Sequence, residues 1–323
     1  MASGRYRRVI AFARYLTVDM ESHALRADLH DPAALANLGH IEVAARWIVD
    51  GFLSGLHRSP RKGFSVEFAD YRPYQPGDDL RYVDWKIAAR ADRWVVKQYE
   101  EETNLRATLV LDVSRSMEWR GAPAAQRLTK LAYAEQLVAA LALLLLRQRD
   151  AVGLIRFDDV VRTSIPPRAR TTQWRRLVGA LTERAGGRAS DLATALGQAA
   201  RLVTRRGMVL LVSDLLVDVD AVLPALRGLR TAGHDITVFH VMDPAERHFR
   251  LTTEAQYEDP ETRLAVPAAG ADVRAAYDAT VDTVVREWRD ALGALGAGYE
   301  LVLTDQAYAI PLRRAFDLRQ RRP

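Results

Sequence analysis

The 323-residue chain is 49% hydrophobic and 27% charged, enough apolar mass for a substantial core, which excludes disorder as its main state. It has no cysteine, which removes disulfides, thiolate zinc sites, iron–sulfur clusters and cysteine nucleophiles, and fits a reducing compartment. The formal charge of +5 rests almost wholly on arginine, since lysine occurs only at Lys62, Lys86, Lys97 and Lys130. The basic residues interleave with 41 acidic ones, so no nucleic-acid face is read.

The only local basic excess is Arg313, Arg314, Arg319, Arg321 and Arg322, read as a solvated tail. The N-terminal stretch is interrupted by Arg14, Asp19 and Glu21 and does not have the form of a secretory signal. The longest apolar run, Leu137 to Leu146, falls well short of the roughly 20 residues of a membrane span. These features lead us to expect a cytoplasmic protein with no membrane span.

In chain order, residues 1–58 read as a helical N-terminal region, with Asp31-Pro32 as an N-cap and first-turn proline. Residues 59–104 read as a small β-rich unit. Phe64, Val66 and Phe68 alternate with polar neighbours, Gln75-Pro76-Gly77-Asp78 is a turn, and Trp94–Tyr99 is a second strand. Tyr74 and Trp85 are expected in its core, and Glu67, Asp70, Arg72, Asp78, Asp79, Arg81 and Asp84 in structural ion pairs or a partner surface.

From residue 105 to 323 the pattern alternates. Strands are expected at Ala107–Leu111, Ala151–Phe157, Val161–Ile165, Met208–Val212, Asp235–Val241 and Tyr299–Leu303. Helices are expected at Ala124–Arg149, Thr171–Arg184, Ser190–Arg205, Ala221–Ala232, Ala271–Leu292 and Tyr308–Leu318, with a hairpin insertion at 247–267 turning at Asp259-Pro260. Such alternation predicts an α/β fold, doubly wound, with a mostly parallel sheet flanked by helices. No Gly/Pro-rich linker separates the β-rich unit from this domain.

Ligands of open α/β sheets sit beyond the carboxyl ends of the strands. Asp112, Ser114 and Ser116 follow the first strand of the alternating region, and alternate residues of an extended segment share a face. Ser213 and Asp214 follow Met208–Val212. Ser190 and Asp191 lie at a helix start after Gly186-Gly187, where Asp191 reads as a helix N-terminal charge. Two carboxylates and several hydroxyls are hard donors suited to Mg²⁺, Mn²⁺ or Ca²⁺. A site so poor in direct negative charge keeps water on the ion or accepts a carboxylate from a partner.

The segment Asp112-Val-Ser114-Arg-Ser116 resembles the metal-ion-dependent adhesion site of von Willebrand factor A domains. That resemblance implies direct metal ligation by Ser114 and Ser116 and by a hydroxyl at the position of Ser190. The aspartates Asp112 and Asp214 would bind mostly through water. The run from Gly63 through Glu67-Phe68, Asp70, Arg72, Tyr74, Gly77-Asp78-Asp79 and Arg81 to Asp84-Trp85 is similar to the signature of the bacterial "domain of unknown function 58" family. Together the resemblances cover about residues 50–310. They imply a von Willebrand factor A-like domain and an association with MoxR-type AAA+ ATPases in remodelling or maturation of a target. The expected metal set is Asp112, Ser114, Ser116, Ser190 and Asp214, with one Mg²⁺ as the first candidate. The expected function is a non-enzymatic interaction module that meets the ATPase or its client through an acidic side chain.

The competing reading is a metal-dependent phosphohydrolase or phosphotransferase using Asp112. Aspartyl-phosphate enzymes commonly place a second carboxylate two residues on, where this chain has Ser114, and need a lysine, a residue absent past Lys130. No Gly-x-x-x-x-Gly-Lys-Ser/Thr loop is present, and the seven histidines have no metal-type spacing.

Overall fold

A computed structural model describes residues 41–57, 70–76, 83, 85–91, 94–98, 105–121, 128–183, 192–248, 255–258, 265–268 and 270–320. Met1–Ser54 together with Leu105–Pro323 form one compact unit, and Gly55–Asn104 form another. Helix α1 (Ile41–His57) begins the described chain. Its Ala44, Ala45, Ile48, Val49 and Phe52 are buried, while Val43 and Trp47 are exposed.

In the smaller unit, β1 (Asp70–Pro73), α2 (Trp85–Ala91) and β2 (Val95–Gln98) follow one another, and β1 pairs antiparallel with β2. Tyr74 N–H donates to the Trp94 carbonyl at 2.9 Å. The rings of Tyr74 and Trp85 lie 5.6 and 5.9 Å from that of Trp94. Trp85 is 56% exposed and Trp94 49%, so Trp85 is not the core residue expected: it makes an edge contact in a surface aromatic cluster. The expected strand at Phe64–Phe68 and the helix start at Asp31-Pro32 lie outside the described residues.

The larger unit is built on β3 (Arg106–Asp112), α3 (Lys130–Arg147), β4 (Ala151–Phe157), β5 (Val161–Arg168), α4 (Thr171–Leu181), α5 (Leu192–Leu202), β6 (Met208–Ser213), α6 (Val219–Thr231), β7 (Asp235–Met242), a one-turn α7 (Pro244–Arg247), the hairpin β8 (Ala255–Glu258) and β9 (Ala265–Ala268), α8 (Gly270–Ala294), β10 (Gly298–Leu303) and α9 (Ala309–Gln320). Six strands form one sheet in the order β10-β7-β6-β3-β4-β5, parallel except for the edge strand β5.

Strands β3, β4 and β6 are buried on both faces because helices cover both. On one face Val110, Val209, Leu211, Ile236 and Val238 pack with Leu192, Leu196, Val222, Leu226, Val281 and Trp288 of α5, α6 and α8. On the other face α3, carrying buried Leu137, Val138, Leu141 and Leu144, lies against β3 and β4. Each fully buried leucine there contributes about 1.5–3 kcal/mol.

Helix α3 begins at Lys130, later than the expected Ala124, because Thr129 is its N-cap. The Thr129 backbone is extended and its hydroxyl accepts from Ala132 N–H at 3.1 Å. Helix α4 ends at Leu181, where Arg156 on β4 donates to the carbonyls of Ala180 and Glu183 at 2.6 and 2.8 Å.

Counted within the large sheet, the order is 3-2-1-4-5-6. The winding therefore reverses between β3 and β6, opening a crevice at their carboxyl ends.

Candidate functional site at the β3–β6 switch point

Register sets the first part of the site. Leu111 of β3 is level with Val212 of β6, so Asp112 and Ser213 emerge side by side. The Ser213 hydroxyl donates to Asp112 Oδ2 at 2.7 Å and accepts from Leu215 N–H at 3.1 Å. The other oxygen of Asp112 accepts from Ser114 N–H at 2.9 Å. This turns the chain into the short 3₁₀ turn Arg115–Glu118, with Ser114 O accepting from Met117 N–H. The turn brings Ser114 Oγ and Ser116 Oγ to 3.1 Å from each other. Asp112, Ser114, Ser213 and Asp214 are all at most 3% exposed.

Burial, then the nearby Asp214 carboxylate, pushes the Asp112 carboxyl up to about 7, against the opposing hydrogen bonds from Ser213 and Ser114.

Four of the expected residues, Asp112, Ser114, Ser116 and Asp214, thus gather at the carboxyl ends of β3 and β6. Ser190, with Asp191, lies outside the described residues. Among the described residues, no group of three or more His, Cys, Asp or Glu side chains could hold a metal ion. The donor set here is of another kind, two hydroxyls with two carboxylates. Its fit to a small hard cation can be judged on the hydroxyl pair. Adjacent ligands of an octahedral ion held at about 2.1 Å lie about 3.0 Å apart. Ser114 Oγ and Ser116 Oγ, which share a hydrogen bond at 3.1 Å, have a spacing compatible with that edge.

Lys130 was missed as part of this site. Its Nζ is wholly buried and donates to Asp214 Oδ2 at 2.8 Å and Glu246 Oε1 at 2.7 Å. Burial alone would lower its pKa, but the two carboxylates outweigh this and hold it above the ordinary lysine value. The ammonium also lies 5.8 Å from the centre of the Trp119 ring, and Lys130 N–H donates to the Trp119 carbonyl at 3.1 Å. Glu246 is fixed in turn by a capping box: its Oε2 accepts from Asp243 N–H at 3.0 Å, and Asp243 Oδ1 accepts from Ala245 N–H at 2.8 Å.

No lysine follows Lys130 in the sequence, but folding brings Lys130 itself against Asp214. Two sequence signals pointed there. Lys130 is one of four lysines among 46 basic residues, and Asp243-Pro244-Ala-Glu246 is a readable capping box.

A doubly wound α/β domain with a buried polar cluster at its switch point defines the class of this protein. The chain belongs to the family described as "Protein of unknown function DUF58", whose model matches residues 70–287. Uncharacterised proteins of Mycobacterium bovis and Mycobacterium tuberculosis are 29% identical over 241 residues, 74% of this chain and 74% of theirs. Among solved structures, an aerotolerance-related membrane protein from Bacteroides fragilis aligns with 14% identity and a TM-score of 0.44, over 66% of this chain and 97% of that one. The pilus adhesin SpaC from Lactobacillus rhamnosus aligns with 10% identity and a TM-score of 0.47, over 79% of this chain and 37% of that one. Likenesses at these scores define no fold by themselves. No helix among the described residues is long and apolar enough to cross a membrane.

Proposed function

We propose that this protein is a metal-dependent protein-interaction module with a von Willebrand factor A-like domain. The cation, Mg²⁺ before Mn²⁺ or Ca²⁺, would be held by Ser114 and Ser116, with Asp112, Asp214 and Ser190 completing the site. The observation that carries this reading is the convergence of the two serine hydroxyls, 3.1 Å apart, beside the paired carboxylates at the sheet's switch point.

When bound, the cation supplies a partly unneutralised charge that can take up a carboxylate from another protein. The chain's own residues do the preparation. Asp112, clamped by Ser114 N–H and the Ser213 hydroxyl, fixes the loop that carries the two serines. Arg115 and Arg120, both exposed, would draw in an acidic partner.

The partner in this reading is a MoxR-type AAA+ ATPase or a client it acts on, and the shared role is remodelling or maturation of a target. The same reading puts the encounter in the cytoplasm, where a nucleotide-driven partner works. The test is co-purification from the native host with wild-type protein and with Ser114→Ala plus Ser116→Ala. An ATPase captured by the wild type, and lost with the double variant or a chelator, supports the reading. Equal capture with both proteins and with chelator overturns it.

The phosphohydrolase alternative gains Lys130 but is not favoured. Both oxygens of Asp112 are engaged by Ser114 and Ser213, and Lys130 is buried between two carboxylates.

A further inference from the structure

Lys130 stands where a lysine is costly. It is the first residue of α3, where the helix dipole disfavours a cation, and no part of its side chain reaches solvent. A buried ion pair can often be exchanged for apolar residues of similar volume without loss of stability. Folding therefore gives no sufficient reason for this ammonium, and its contacts indicate another.

The ammonium binds Asp214 on one side and Glu246 on the other. Glu246 cannot follow it. Its second oxygen accepts from Asp243 N–H, and its backbone carbonyl accepts from the buried Tyr277 hydroxyl at 2.7 Å. Through its own N–H, Lys130 also holds the Trp119 carbonyl, in the loop that runs on from Ser114 and Ser116. One residue thus spans both halves of the candidate cation site and is anchored to a third segment.

We propose that Lys130 is a positioning residue for the cation site, engaging Asp214 Oδ2 so that this oxygen is withheld from the cation and more of the charge is left for a carboxylate from outside the chain. This rests on the metal-site reading and deepens it, because it gives the reason for the site's hunger for a partner. Asp112 gives both oxygens to Ser114 and Ser213, and Asp214 gives Oδ2 to Lys130, so the Lys130 contact bears directly on how far Asp214 neutralises the ion. Lys130 opposes that neutralisation twice, by occupying an oxygen and by its own positive charge.

The test is calorimetric titration of Mn²⁺ alone into the full-length protein as wild type, as Lys130→Met with Glu246→Gln, and as Glu246→Gln. The double variant removes one positive and one negative charge together, so a change in its affinity reports the loss of the Lys130 contact to Asp214 Oδ2 and not a change in net charge. It should bind Mn²⁺ about tenfold more tightly or better, the scale on which groups behind a metal ligand act. Glu246→Gln leaves the Lys130 contact to Asp214 in place and should show no such gain, and a gain there would overturn the role.

Wild-type binding with no gain in the double variant overturns the proposal and leaves the metal site standing. Absence of binding in all three proteins removes the metal site and this role with it. If the double variant does not fold, Lys130→Gln with Glu246→Gln is titrated in its place: a gain in affinity supports the role, and no gain overturns it.

Discussion

The Ser213 hydroxyl donates to Asp112 Oδ2 at 2.7 Å across the seam between β6 and β3, where the winding of the sheet reverses. This bond ties the last residue of one central strand to the last residue of the other, and both side chains are buried. Ser213→Ala strips a buried carboxylate of a donor and Leu215 N–H of its acceptor. It should cost about 1–3 kcal/mol in urea unfolding. A loss under 0.5 kcal/mol would show that water replaces the hydroxyl without penalty.

Asp112→Asn is expected to separate stability from binding. Burial and the Asp214 carboxylate make an ionised Asp112 unfavourable, and asparagine keeps an acceptor for Ser114 N–H. The metal-free variant should be more stable than wild type by about 1–2 kcal/mol, as when a functional residue held at a cost is replaced. It should also lose stabilisation by Mn²⁺. Thermal melts with and without Mn²⁺ report both effects, and a variant less stable than wild type but still stabilised by the ion would contradict both.

Lys130→Met alone leaves Asp214 and Glu246 without their shared counter-ion. Breaking a fully buried pair in this way should destabilise the fold by about 3–5 kcal/mol. Adding Glu246→Gln should restore a large part of the loss, because the second uncompensated charge goes with it. Chemical denaturation of the two proteins side by side measures the recovery.

His240, on β7 beside Ser213, is wholly buried, with Nδ1 2.8 Å from the Tyr299 hydroxyl. Burial lowers its pKa to about 4, with the Lys130 ammonium adding to the shift and Asp214 opposing it. The unfolded chain then takes up this proton before the folded one does. The contribution of His240 to stability is intact above about pH 6.5 and is lost as pH falls from there towards 4. The loss should reach about 3 kcal/mol at the lower end. Urea unfolding at pH 7.5 and 4.5 should therefore show a smaller drop for His240→Gln than for wild type, and equal drops would place the acid sensitivity elsewhere.

Gly121 lies in the loop leading from the serine-bearing turn, where a Cβ would meet the Cβ of Ala245 and lie 2.6 Å from Asp243 Oδ1. Ala245 Cβ is fixed by its backbone, so the loop must move. Gly121→Ala should cost about 1–3 kcal/mol, typical of overpacking. It should also weaken Mn²⁺ binding in calorimetry, since Ser114 and Ser116 sit at the other end of the same loop.

Local pattern sufficed for the six strands of the large sheet and for part of the site, while the helix Trp85–Ala91 was not read. The apolar runs at Ala107–Leu111, Met208–Val212 and Asp235–Val241 are strands in the structure, extended by a residue or so at one or both ends. Asp112, Ser114 and Ser116 were legible because extended backbone followed by a tight turn gathers near neighbours whatever the rest of the chain does. Asp214 was placed with them because ligands lie beyond strand ends, but which distant side chains bond to one another was not legible. Ser213 is 101 residues from Asp112, and Lys130 is 84 from Asp214 and 116 from Glu246. Those pairs exist because the winding reverses between β3 and β6, and because α3 starts at the cap Thr129, which sets its first residue facing the ends of β6 and β7. Periodicity records which face of an element is buried, since burial is enforced residue by residue. It does not record which element covers that face, because strand order and helix placement are decided by packing of the whole domain.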